Sequence, residues 1–134
     1  MVKFWHKELS NISENAQIGD GTIVHSHVWI GDDVVIGKNC KIQAFAFIPT
    51  GVTIGDNVFI GPRVTFTNDK YPPSEKWDTT VVGENVSIGA GAIILPGVVL
   101  CKNCKIGAGA VVTKNVPPGE TWVGNPAHKH GDKT

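Results

Sequence analysis

The segment VVGENVSIGAGAIILPGVVLCKNCKIGAGAVV, Val81–Val112, is repetitive without being low in complexity. Val82, Ile88, Ile94, Leu100, Ile106 and Val112 recur every six residues, often with Gly directly behind. A helix repeats near 3.6 residues and a flat strand at about 2, so neither accounts for a period of six. The same phase runs through Ile12, Ile18, Val24, Ile30, Ile36, Ile42, Ile48, Ile54, Ile60 and Phe66. Four residues after these lie small or apolar residues such as Thr22, Val34, Cys40, Ala46, Val64, Ala92 and Val116. Each unit therefore offers two inward side chains around one outward residue, followed by two residues rich in Gly, Asn and Asp. Those residue types tolerate the positive φ of a sharp corner.

Short parallel strands joined by two-residue corners cannot form an open sheet, because parallel neighbours need long crossovers. They can form a solenoid in which three strands make one triangular turn and each turn stacks on the last. The expectation is an all-β parallel β-helix of about five turns in one domain, with repeats over 12–66 and 82–117. An excursion loop over 67–81 and a C-terminal tail over 118–134 complete it.

Composition narrows the function. Lys plus Arg equal Asp plus Glu at 12 each, so no broad field points to nucleic acid or an anionic membrane. The N-terminal MVKFWHKELS lacks the apolar run of a signal peptide and no segment approaches a membrane span, which predicts a cytoplasmic protein. The 16 glycines sit in phase with the repeat rather than clustered as in a linker, and three cysteines argue against a disulfide framework.

The period, and the run GAGAVVTKNVPPGETWVGNPA at Gly107–Ala127, resemble the hexapeptide-repeat acetyltransferases. That resemblance implies a left-handed coil, acetyl-CoA as co-substrate and grooves between subunits. The stretch GPRVTFTN at Gly61–Asn68, with KIQ at Lys41–Gln43, further resembles the WlbB-like N-acetyltransferases of amino-sugar nucleotides. The chain departs from that group at Ala44–Phe45, where paired asparagines are frequent, and at His128–Lys129, where Arg is usual.

One face of the triangle carries outward Trp29, Phe47, Ile93, Leu95 and Val111, whereas another carries Lys41, Ser87 and Lys105. A solvated solenoid has no use for an apolar outer stripe, so a homotrimer is expected; cover by the C-terminal tail is the alternative. The excursion TNDKYPPSEKWDTTV leaves that same face, and loops on rigid scaffolds commonly carry function.

By resemblance, Asn68 is the residue expected at the chemistry, with Asp69 and Tyr71 holding the sugar and Arg63 a phosphate. Lys114, Trp122 and Asn125 are expected at the CoA end, and Gly91 and Gly109 as bare backbone beside its pantetheine arm. Related sugar O-acetyltransferases place a histidine ahead of a loop proline as base, whereas this loop reads Asp69-Lys70-Tyr71-Pro72. A hydroxyl needs a base during attack and a free amine does not, so the amine is the expected acceptor. The rivals are O-acetylation with His25 or His27 as base, and a non-catalytic trimeric scaffold.

His25 and His27 raise a zinc site, but a third histidine inside the repeat is lacking, so no metal is expected and substrate contact is the assigned role. His27 shares a corner column with Phe45, Arg63, Gly91 and Gly109, and Arg63 is the sole arginine. The CKNC at Cys101–Cys104 follows from the repeat phase, which makes Cys104 an inward structural thiol.

Overall fold

The computed structural model describes residues 1–131 and forms a three-sided parallel β-solenoid. The first sheet stacks Lys3–Phe4, Ile23–Val24, Lys41–Ile42, Phe59–Ile60, Ser87–Ile88, Lys105–Ile106 and Thr121–Gly124, with Ala127–Lys129 added antiparallel. The second holds Asn11–Ile12, Trp29–Ile30, Phe47–Ile48, Thr65–Phe66, Ile93–Ile94 and Val111–Val112. The third holds Gln17–Ile18, Val35–Ile36, Val52–Ile54, Thr80–Val82 and Val99–Leu100.

The coil is longer than the five turns expected, reaching about seven along the first sheet. Lys3–Phe4 pairs with Ile23–Val24 ahead of the first recognisable repeat, and Thr121–Gly124 pairs with Lys105–Ile106 after the last. A ladder needs backbone partners, not a hexapeptide pattern, so both ends extend beyond the periodic sequence. Thr80 and Val81 resume the coil after the excursion, pairing with Val52 and Thr53.

The repeat positions fill the interior. Ile30, Ile48, Phe66, Ile94 and Val112 are completely buried and form one column behind the second sheet. The outward positions of that sheet remain open: Trp29 is 46% exposed, Phe47 40% and Ile93 37%. Among the described residues, the tail strands Thr121–Gly124 and Ala127–Lys129 extend the first sheet instead of covering them. No helix among the described residues is long and apolar enough to cross a membrane.

Corners follow each sheet in turn. The third corner, from third sheet to first, places Asn39, Asn57, Asn85 and Asn103 at φ between 57° and 64°. Asn takes this left-handed region at low cost because its short polar side chain bonds locally. Glycine answers a different need at Gly37, where an added Cβ would sit 2.6 Å from the Gly55 carbonyl carbon of the next turn.

Two buried threonines test how strictly the core enforces polar pairing. The Thr22 hydroxyl donates to the Gly37 carbonyl at 2.8 Å and accepts from the Cys40 amide at 3.0 Å. Thr80, equally buried, has no hydrogen-bond partner for its hydroxyl among the described residues. Thr80→Val should therefore stabilise the fold by about 1 kcal/mol, whereas Thr22→Val should cost about 1–3 kcal/mol by orphaning two backbone groups. Scanning calorimetry should show melting temperatures moving in opposite directions; movement in the same direction would contradict the pairing assigned here.

Candidate functional site

The second sheet carries candidate residues along both of its edges. At the first corner, where the chain enters it, His27, Phe45, Arg63, Gly91 and Gly109 all have φ between 60° and 72°. The side chains of His27, Phe45 and Arg63 stack. The His27 and Phe45 rings lie 5.0 Å apart and 14° from parallel, and the Arg63 guanidinium carbon sits 4.9 Å from the Phe45 centroid. His25 stacks on Trp5 at 6.2 Å, and Lys3 Nζ lies 4.4 Å from the Trp5 ring centroid. Arg63 makes no ion pair among the described residues.

At the second corner, where the chain leaves the sheet, Asn68 opens the excursion. Its Nδ2 donates to the Thr50 carbonyl at 2.8 Å, and its carbonyl accepts from the Asp78 amide at 2.8 Å, closing the loop neck. Asn68 lines a cleft of about 370 Å³ with Trp29, Phe47, Thr50, Asp32 and Trp77. The Asp32 carboxylate there accepts from the Ser13 hydroxyl. Sequence reasoning gave Trp29 and Phe47 to the subunit contact and omitted Thr50 and Asp32, although a signal was present. Stepping back 18 residues from Asn68 reaches Thr50 and then Asp32, the same step that links His27 to Phe45 and Arg63.

Asp69 and Tyr71 do not line that cleft. Asp69 turns onto Ser74, accepting from its amide at 2.7 Å and its hydroxyl at 2.6 Å. The Ser74 hydroxyl holds the Asp69 carboxyl below the ordinary aspartate range. Tyr71 is 76% exposed and borders a separate cleft with Lys70, Ser74, Lys76 and Asp78.

At the far end, Lys114 and Asn125 meet in a cleft of about 310 Å³ with Thr113, Pro126 and His128. Trp122 lies elsewhere, packed on the end of the core, with its Nε1 donating to Glu120 at 3.0 Å. Gly91 and Gly109 face open space: a Cβ built on either meets nothing within 4 Å.

Burial pushes the Cys104 thiol up to about 11, with Cys101 adding to the shift, and burial raises Cys40 as well. Thiols held protonated in this way are poor nucleophiles and poor metal ligands. Among the described residues, no group of three or more His, Cys, Asp or Glu side chains could hold a metal ion.

Comparison with known proteins agrees with this architecture. The family described as "Bacterial transferase hexapeptide (six repeats)" matches residues 33–68 and 79–114, more than half of the chain. Galactoside O-acetyltransferase of Escherichia coli is 32% identical over 146 residues, covering 94% of this chain and 72% of its own length. A relative in Schizosaccharomyces pombe is 38% identical over 109 residues, and there the chain spans only about half (51%) of the relative's length. Among solved structures, the H141N variant of perosamine N-acetyltransferase from Caulobacter crescentus, in complex with CoA and GDP-perosamine, superposes with a TM-score of 0.85 at 26% identity. That match takes in 98% of this chain and 58% of the other. Repeat period, stacked architecture and these alignments agree: the chain belongs to the bacterial hexapeptide-repeat transferase family.

Proposed function

We propose that this protein is an acetyl-CoA-dependent acetyltransferase that acylates the amino group of a nucleotide-linked amino sugar. The observation that carries this reading is the chemistry of the Asn68 cleft. A carboxamide stands among aromatic walls, and the one ionisable side chain in the lining, Asp32, is engaged by Ser13. Within one protomer the lining offers hydrogen bonds and an apolar surface but no histidine base. An amine acceptor with a free lone pair is the nucleophile that fits it.

In the proposed reaction the amine nitrogen attacks the thioester carbonyl, forming the C–N bond. The second Asn68 Nδ2 hydrogen, not used on Thr50, donates to the developing oxyanion. Collapse breaks the C–S bond, and the departing sulfur takes the proton that the nitrogen loses, leaving an amide and CoA. Gly91 and Gly109 would leave room for the pantetheine arm, while Lys114 and Asn125 would serve the CoA end.

The working form in this reading is a homotrimer. Trp29, Phe47 and Ile93 make an exposed apolar stripe on the second sheet. A closed ring of three joins unlike patches, so the Asn68 edge of one protomer would face the Arg63–Gly91 edge of the next. This unites two candidate edges that lie on opposite sides of one sheet within a single protomer. The support from relatives is that perosamine N-acetyltransferase was solved with CoA and GDP-perosamine. A second reading, hydroxyl acylation with His25 or His27 as base, draws on the similarity to galactoside O-acetyltransferase.

Asn68→Ala should lower turnover by about 10²–10³ while leaving acetyl-CoA affinity nearly intact, as expected for one oxyanion donor. His25→Ala and His27→Ala should each cost much less. Steady-state kinetics with paired amine and alcohol acceptors decides: loss of activity in a histidine variant with Asn68→Ala active establishes hydroxyl acylation instead. Calorimetry that finds no acetyl-CoA binding would leave only the scaffold.

Light scattering at micromolar concentration should return a trimer mass. Phe47→Asp should weaken assembly by forcing a charge into a dry contact. A Phe47→Asp protein that stays trimeric at high dilution would place the interface on another face.

A further inference from the structure

Trp77 forms part of the Asn68 cleft without belonging to the coil. Trp29, Phe47 and Thr50 reach the cleft from rungs and corners that the ladder stacks, whereas Trp77 lies in the excursion between Thr65–Phe66 and Thr80–Val82. It is 57% exposed, so burial does not fix the ring. Hydrogen bonds do. Its indole Nε1 donates to the Ser74 carbonyl at 3.2 Å. On one side of it the Lys76 amide donates to the Ser74 hydroxyl at 3.3 Å, and on the other the Asp78 amide donates to the Asn68 carbonyl at 2.8 Å.

Two of these three bonds end on Ser74, and Ser74 is itself held by Asp69. The two carboxylate oxygens of Asp69 accept separately, Oδ2 from the Ser74 amide at 2.7 Å and Oδ1 from its hydroxyl at 2.6 Å. Holding both donors of one residue also sets the direction of its carbonyl, which is the group that receives the indole. Asp69 carries no ion pair among the described residues, and Lys70 turns instead over the Tyr71 ring. A carboxylate committed in this way is arranged to hold the loop rather than to meet a ligand. The chain of contacts ends on an aromatic ring in the cleft. A side chain immobilised before its ligand arrives spares the complex the entropy of ordering it.

We propose that Asp69 is a positioning residue for the acceptor: through Ser74 it sets the Trp77 indole as a preorganised wall of the Asn68 cleft, against which the apolar C–H face of the acceptor's sugar ring packs. This role rests on the amino-sugar acceptor of the proposed function. Asp69 serves the reaction by way of Trp77, and only the indole touches the sugar.

Initial rates are measured with acetyl-CoA and a panel of UDP-, GDP- and dTDP-linked amino hexoses, with their hydroxyl counterparts. Asp69→Ala should raise the acceptor KM about 3- to 10-fold, the cost of ordering one side chain on binding, and Trp77→Ala by at least as much. In both variants kcat and the acetyl-CoA KM should stay near the parent values. The double variant should be no worse than Trp77→Ala alone, because Asp69 acts through that ring. Asp69→Asn, which keeps an acceptor for Ser74, should recover the parent KM. Acrylamide quenching of tryptophan fluorescence reads the same coupling without transfer: Asp69→Ala should increase quenching in the parent and change nothing in a Trp77→Phe background. Additive losses in the double variant, an unchanged acceptor KM in Asp69→Ala, or a fall in kcat alone overturns the role. Should Asp69→Ala fail to fold, Ser74→Ala, which removes only the hydroxyl bond, carries the test with a smaller shift. Transfer to alcohols and not to amines, with the KM pattern intact, removes the proposed reaction and retains the role. Amine transfer with an unmoved KM removes the role alone, and no transfer to any acceptor overturns both.

Discussion

Each turn of this solenoid hangs on the amide-to-carbonyl ladder between successive coils, as where the Trp29 amide donates to Ala46 and the Phe47 amide to Val64. The ladder holds only if the chain turns within a few residues at every corner and returns in register. That requirement puts left-handed backbone at one residue in most corners, and it favours apolar inward positions because they lie behind three sheets at once. Core columns, corner columns and outward stripes are all consequences of this single constraint. A side chain anywhere in the coil is stacked on the residue one turn away, so ordering is inherited along columns rather than along the chain.

This explains how much could be read in advance. The period of six marks the inward positions directly, and Ile30, Ile48, Phe66, Ile94 and Val112 are buried as that period requires. The corner column from His27 to Gly109 follows from arithmetic on the repeat, and positive φ at each member follows from the ladder. The ends of the coil were illegible for a matching reason. Lys3–Phe4 and Thr121–Gly124 join the first sheet through backbone pairing, which leaves no periodic trace in side chains.

The excursion was legible only in outline. Its start and return follow from the lost phase, but inside it no repeat constrains the chain and local hydrogen bonds decide. Asp69 illustrates this: a carboxylate in a loop next to Asn68 reads as a substrate contact, yet it is consumed by Ser74. Trp122 is similar, since its position in the sequence suggests a ligand contact while its indole packs on the end of the core. The stack of His27, Phe45 and Arg63 lies between these cases, because the column was foreseeable and the ring geometry was not.

The strands flanking the excursion have an implication for how such proteins diversify. Ordinary rungs join residues 18 apart, as with Val35 and Thr53, whereas Thr80 pairs with Val52 across 28. Closing the longer segment costs only about 0.4 kcal/mol more in chain entropy, because the penalty grows with the logarithm of length. Val52–Ile54 and Thr80–Val82 are each one residue longer than the usual two-residue rungs, so added pairing offsets that cost where the detour occurs. With its neck tied by Asn68 and Asp78, the loop can change in length and composition while the coil on either side keeps its register. Mutation can therefore explore new loops beside the Asn68 cleft without first passing through an unfolded protein.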